Sequence, residues 1–530
     1  MTKNRHNSDT RAQLDDPPRI IEPSEQYYDY IIVGGGTAAM GFLYGLLEET
    51  NPVSVGRIAI LEQGACASSS DDNKLRDWYI AAQNRSNIVG EASLGSRRVK
   101  ISQGKGRGGT TRINAGLCCS WTKEETENGS LSRAMQHLQA VLRKNGVFED
   151  QPVPMIVKPS NGTRVDYYQG LIEPLGQLEG VEWIEGATCR RILYKNNQIT
   201  GVEYTTTTTD NSTAPQQLQL YASRVILSAG VFASPVILAA SELLGNNLFS
   251  NSDCLVQDHV MIPAAFLVWP TQTNSSTDET PYWNGVKGMN RVDINEDYTF
   301  QISEMDVSVF SSILPSLAVD YLFHRTAWDG WEWFIHPIDT VIETILRFVI
   351  AWTPLYWFLK YCVKVVAVFL VRSPTAYNGS FRILRQEDES YKVSNITLDY
   401  LRSDRDVAAV QHFWAEYMTI QTCAIQGWEF FPGPLVRSNF RLGGPLHEER
   451  FRLFCQEFCL PFYHWSGSLS SAYGSPTSDP PPVPLLPHGL FLCDASTLHP
   501  LPPVPPALTL AAHGYLLAKN LHSQAESLID

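Results

Sequence analysis

The chain has 530 residues, 44% of them hydrophobic and 18% charged, with a formal net charge of −14. This is a globular composition, rich enough for a large core, in one large domain or two to three ordinary ones. The acidic balance excludes a protein built to grip nucleic acid and argues against electrostatic attachment to anionic lipid, but it leaves a neutral, apolar ligand open.

Residues 1–26 are polar and charged, which predicts a disordered tail. They hold no apolar core of a secretory signal, so a cytoplasmic protein is expected. The ten cysteines form no C-x-x-C pair and no zinc-type spacing, so buried thiols and no metal site are expected. Structure begins at Tyr28–Val33, an apolar run bounded by glycines that predicts a buried strand. Met40, Leu43, Leu46 and Leu47 then follow helical spacing, and a second strand, Arg57–Leu61, ends at Glu62. This is β-α-β order. Leu131, Met135, Leu138 and Leu142 place a helix over 131–142. Residues 188–204 and 218–228 are β-rich around a polar loop with the composition of a hairpin tip.

Residues 331–371 are apolar and aromatic. Their longest uncharged run, Phe348–Leu359, has 12 residues and contains Pro354, whereas a spanning helix needs about 20. The segment reads either as a pair of core helices or as an interfacial pair or apolar gate, the second giving peripheral membrane contact. Residues 475–506 carry two proline clusters around a strand-like run, Gly489–Cys493. A closing helix is predicted from Ala507 to Leu521, just after prolines.

Five segments carry chemistry. The first is Gly34-Gly35-Gly36-Thr37-Ala38-Ala39, placed between a strand and a helix. Its glycines allow a tight turn and close approach to a pyrophosphate, and the helix start supplies N–H groups. Glu62, ending the next strand, can accept hydrogen bonds from ribose hydroxyls. The second runs from Gly104 to Gly116 through Gly108, Gly109, Thr110 and Asn114. In the third, Arg224–Leu238, a strand turns through small residues at Ser228-Ala229-Gly230 into a helix containing Ser234-Pro235, and Asp258-His259 follows. The fourth is Tyr463-His464-Trp465-Ser466-Gly467-Ser468. The fifth is Cys493-Asp494-Ala495-Ser496, followed by the closing helix.

In their order and spacing these segments resemble the glucose–methanol–choline (GMC) family of FAD-dependent oxidoreductases, over about residues 28–522. The resemblance implies an α/β fold: a Rossmann-like FAD-binding domain formed by 27–261 with 485–530, and an α+β substrate domain, an antiparallel sheet with helices, over 262–484. The stretches Gly379–Ile383 and Asn395–Leu398 fit strands of that sheet. The resemblance further implies that Gly34, Gly36, Thr37, Ala38, Ala39, Glu62, Gly108, Gly109, Thr110, Asn114, Asp494 and Ala495 approach FAD. It gives His464 the role of base toward a substrate hydroxyl, for which a neutral imidazole is suited. His259 reads as structural.

The sequence departs from the family at Pro505, where a second His or Asn is usual. Either His464 acts alone or a nearby group substitutes, His499 being a better candidate than His513. No histidine stands in the flavin-facing loop for a covalent link, so noncovalent FAD is expected. The implied activity is oxidation of the CH–OH of an apolar alcohol, with oxygen or another electron acceptor. The alternatives are an FAD-containing lyase and a non-catalytic flavin-binding protein.

Overall fold

The computed structural model describes residues 27–48, 56–64, 87–94, 97–114, 117–118, 129–145, 147–149, 155–157, 164–206, 216–244, 253–268, 290–305, 341, 345, 363–418, 427–438, 444–470 and 486–526. The chain opens with β1 (Tyr27–Val33), α1 (Thr37–Leu47) and β2 (Ile58–Glu62), followed by β3 (Asn87–Leu94), β4 (Arg97–Gln103) and α2 (Ser130–Asn145). A small hairpin, β5 (Val147–Glu149) with β6 (Met155–Val157), comes next. It leads to β7 (Val181–Glu185), β8 (Ala187–Lys195), β9 (Gln198–Thr206), β10 (Gln216–Leu227) and α3 (Gly230–Ala240). The middle of the chain supplies β11 (Cys254–Val256), β12 (Val260–Val268), β13 (Asn290–Asp293), β14 (Thr299–Met305), β15 (Val363–Arg372), β16 (Gly379–Arg385) and β17 (Tyr391–Leu398). Then come α4 (Asp404–Phe413), β18 (Gly427–Phe431), α5 (Glu448–Phe458), β19 (Leu460–Pro461), β20 (Leu490–Leu492) and α6 (Ala507–Glu526).

Three sheets organise these elements. The first has the order β7-β2-β1-β10-β9-β8, with β20 beside β10. Its central strands β2, β1, β10 and β20 run parallel. The apolar run of β1 exists because both of its faces are covered. Tyr30 and Ile32 face the core made with α1, α2 and α6, while Ile31 and Val33 face the core beneath α3. The second sheet, β13-β14-β15-β12-β18 with β19 beside β12, is antiparallel. It packs Phe300, Phe369 and Phe266 in one core with Phe413, Trp414 and Phe451 from the helical side. The third has the order β11-β16-β17-β3-β4.

The third sheet joins strands from both sides of the expected domain boundary. Strands β3 and β4 lie inside the segment assigned to the cofactor domain, yet β3 pairs in parallel with β17, far along the chain. For the same reason Gly379–Ile383 and Asn395–Leu398 are strands, but of this mixed sheet instead of the antiparallel one. A second correction falls at 331–371. Most of that segment lies outside the described residues, but Val363–Val371 forms most of β15, a strand paired on both edges, instead of continuing a helix. Its Val-rich sequence suits a pleated, buried surface. No helix among the described residues is long and apolar enough to cross a membrane. The described cysteines Cys118, Cys189, Cys254, Cys455, Cys459 and Cys493 are buried free thiols.

Helices α1 and α6 cross with their backbones in near contact. A Cβ at Gly41 would stand 1.9 Å from the Ala511 carbonyl oxygen, and one at Gly514 would stand 2.1 Å from that of Ala38. Gly41→Ala must therefore push the helices apart. It is expected to cost about 1–3 kcal/mol, read as a lower midpoint in urea unfolding followed by far-ultraviolet circular dichroism. An unchanged midpoint would contradict this crossing.

Candidate active site

The site starts where strand order reverses. From β1 the sheet continues through β2 on one side and through β10 on the other. A crevice opens at the carboxyl end of such strands. Here β1 ends at Gly34, whose φ of 94° is left-handed and where a Cβ would meet the Ser228 carbonyl oxygen at 2.4 Å. Helix α1 then starts with Gly36 as its N-cap and has neither a side-chain cap nor an acidic residue in its first turn. Its free N–H groups open into a cavity lined by Gly36, Thr37 and Ala38, as an anion-binding helix start requires.

The second glycine segment crosses the first, backbone on backbone. Gly108 N donates to Gly35 O at 2.8 Å, and a Cβ at Gly109 would lie 2.7 Å from Gly36 Cα. Glu62 ties the turns together. Its carboxylate accepts from Gly35 N at 2.7 Å and from Gly64 N and Gly106 N at 2.8 Å each. Much of its accepting capacity is thus spent inside the protein, although it still borders the cleft.

Two cavities meet over this crossing. One runs past Thr110, Asn114, Phe232, His464, Asp494, Ala495 and Pro505. The other runs past Gly34, Glu62, Thr188 and Arg190. They share Gly36, Gln103, Gly104, Gly109, Ser228 and Phe232. The result is an elongated cleft passing over an uncapped helix start, which fits a dinucleotide with its pyrophosphate at Thr37–Ala38. Asp494 braces the wall, accepting from Gly230 N at 2.8 Å, Ser234 Oγ at 2.5 Å and Ser496 N at 2.8 Å.

His464 is presented by an irregular strand pairing. Val260 pairs with Pro461, and Gln257 bridges to Ser466. Between these points lie two residues on one side, Asp258 and His259, and four on the other, Phe462 to Trp465. The surplus bulges out, and Tyr463 takes a left-handed φ of 61° to close the arc. For a bulky residue this costs about 1–3 kcal/mol and calls for support nearby. Asp258 supplies it from inside the arc, accepting from His464 N at 2.7 Å and Phe462 N at 3.1 Å. Tyr400 Oη also donates to it at 2.6 Å, and Asn378 holds the Asp258 backbone at 2.8 and 2.9 Å. Burial pushes the Asp258 carboxyl up to about 7, even against these donors.

The His464 ring packs against Phe462 at 4.3 Å, and its Nδ1 lies 2.9 Å from His259 Nδ1. It is half-buried at the cavity wall. Burial, and then the neighbouring His259, hold its pKa well below the ordinary histidine value.

The structure thus gathers Gly36, Thr37, Ala38, Gly109, Thr110, Asn114, Asp494, Ala495 and His464 around one cavity, with Gly34 and Glu62 on the adjoining one. Ala39 and Gly108 are not among the lining residues. Ala39 is buried in the core beneath α1, and Gly108 serves the loop crossing. His499 is not brought to His464. It stacks on Tyr377 at 4.5 Å and 9°, outside the cavity lining, with a buried Nδ1 that has no hydrogen-bond partner. Pro505 and Pro506 instead form part of the wall. Sequence reading missed the contact of His259 with His464. The adjacent Asp258-His259 pair was visible, but nothing in the sequence showed which way the imidazole points.

This arrangement defines a class: an α/β protein with a dinucleotide cleft at a strand-order reversal, closed by a histidine from a second sheet. Comparison with known proteins shows what the chain is similar to. Residues 120–252 match the GMC oxidoreductase family model. The whole fold is similar to that of a pyridoxine 4-oxidase from Mesorbium loti, with a TM-score of 0.62 at 14% identity over 93% of this chain and 99% of that one. It is also similar to a fungal aryl-alcohol oxidase, with a TM-score of 0.60 at 14% identity over 95% of this chain and 100% of that one. An (R)-mandelonitrile lyase-like protein of Arabidopsis thaliana is 28% identical over 137 residues, and the match spans 24% of this chain and 24% of that protein's length. The chain has the GMC oxidoreductase fold and carries that family's sequence pattern over residues 120–252.

Glu62→Gln turns an amide NH₂ against N–H donors that now meet a carboxylate. Each buried donor left unsatisfied costs about 1–3 kcal/mol. The variant is expected to unfold at lower urea, and an unchanged midpoint would show that the three turns hold without the carboxylate.

Proposed function

We propose that this protein is an FAD-dependent oxidoreductase that converts the CH–OH group of an apolar alcohol to a carbonyl, with His464 as the base. One observation carries the reading: His464 and the uncapped start of α1 line the same cavity. FAD, when bound, supplies a hydride acceptor for the carbinol carbon. The remaining tasks fall to the chain. Thr37 and Ala38 offer backbone N–H groups to the pyrophosphate, and Gly109 and Asn114 border the adjoining part of the cleft. His464 takes the hydroxyl proton as the hydride leaves, so the alcohol loses two electrons and two hydrogens in all. Val231, Phe232, Phe462, Trp465 and Pro505 supply an apolar wall, which favours a hydrocarbon-rich substrate over a sugar. The FAD of this proposal is held noncovalently. Oxygen or another acceptor completes turnover.

A lyase is the second reading. It is favoured by Pro505 in the cavity wall, whose side chain cannot hold a substrate oxygen, and by the similarity to the (R)-mandelonitrile lyase-like protein of Arabidopsis thaliana. Anaerobic addition of benzylic, fatty and terpenoid alcohols separates the readings. Oxidation bleaches the flavin absorbance with one of these classes, whereas turnover without bleaching favours the lyase. Reduction by glucose or choline with none by apolar alcohols would overturn the proposed substrate class.

His464→Ala is expected to lower the rate of flavin reduction by about 10²–10⁴-fold, with FAD still bound. A base with a lowered pKa stays unprotonated further into acid. The acid limb of kcat/KM is therefore expected below pH 6.5, the ordinary histidine value. A limb at or above that value would contradict the electrostatics of this site.

A further inference from the structure

We propose that His259 is a positioning residue that accepts the Nδ1 proton of His464 and so leaves the Nε2 lone pair of His464 facing the cavity. The proposal rests on the reading of His464 as base and deepens it.

Two imidazole nitrogens 2.9 Å apart can bond only if one carries a proton and the other does not. The surroundings of His259 decide which. Its ring is buried, and the nearby backbone groups of Pro502 and Val371 favour a proton on it. Carbonyls only accept. With Nδ1 committed to His464, the proton they favour sits on His259 Nε2, a buried atom that has no hydrogen-bond partner among the described residues. His259 Nδ1 is then the acceptor and His464 Nδ1–H the donor. A neutral imidazole has one ring proton, so His464 Nε2 is bare. It lies across the ring from His259, and no hydrogen bond to it occurs among the described residues.

The local geometry is built to keep this pairing. Asp258 fixes the His464 backbone, and Phe462 packs its ring at 4.3 Å. The two histidine rings meet nearly at right angles, 80°, which aims one nitrogen at the other. The backbone places the ring, and His259 places the proton. In water a free histidine populates both tautomers. A base with Nε2 already protonated could not take the substrate proton, so fixing the tautomer keeps every molecule competent.

The test is nitrogen-15 NMR of histidine-labelled holoenzyme, with the His464 signals assigned by their loss in His464→Gln. Expected is a protonated Nδ1 and an unprotonated, pyridine-type Nε2 at neutral pH. A protonated Nε2 in the wild-type protein overturns the proposal. His259→Phe keeps the ring bulk and removes the acceptor. It is expected to disturb the tautomer and lower kcat by about tenfold to a hundredfold with KM little changed. His259→Asn, whose amide oxygen can stand near the place of Nδ1, is expected to recover most of that loss. Wild-type tautomer and kcat in His259→Phe also overturn the proposal. If no alcohol reduces the flavin while the NMR pattern holds, the oxidase reading fails and the positioning role stands.

Discussion

A single buried carboxylate, Glu62, ties together three glycine turns that have no side chains with which to hold one another. The cleft requires backbones at near contact distance, and any Cβ at Gly34, Gly64, Gly104 or Gly109 would collide with neighbouring backbone. Removing side chains permits the approach but supplies no attraction. Glu62 provides it, with its oxygens accepting from Gly35, Gly64 and Gly106. The start of α1, the crossing of the second glycine segment and the mouth of the cleft all follow from that anchorage.

The catalytic end is organised by the same means. Asp258 does for the arc at Phe462–Trp465 what Glu62 does for the glycine turns: it fills the inside of an irregular loop and accepts its N–H groups. Asp494 repeats the device at the start of α3. Three buried carboxylates thus stabilise three stretches of non-repeating backbone, the conformations that regular ladders cannot satisfy. In the proposed chemistry the mobile proton is left to histidine.

Much of this was legible in the sequence. The apolar run of β1, the glycines after it and the helical spacing of α1 reflect local rules, so the β-α-β unit and the segments around Asp494 and His464 could be read directly. Long-range pairing could not. Nothing local to Asn87–Gln103 says that it joins strands near residues 379–398, and nothing local to Val363–Val371 separates a buried strand from a buried helix, since both are continuous apolar runs. The same limit applied to single side chains. The place of Glu62 at the end of β2 suggests a ribose, while its contacts with the amides of Gly35 and Gly106, remote in the chain, are a tertiary fact. His499 was placed in the site by sequence proximity to Pro505, whereas its ring turns to Tyr377. His259 reads as structural, and the direction of its ring follows only from the two-against-four mismatch between residues 257–260 and 461–466.

The central claim is that one cleft runs from Glu62 over the start of α1 to His464 and holds a flavin dinucleotide along its length. A crystal structure of the protein grown with FAD tests it most directly. The account predicts one FAD per chain, with its pyrophosphate on the N–H groups of Thr37 and Ala38 and its ring system against His464. FAD bound elsewhere, or a cleft that remains without FAD at saturating concentration, would contradict it.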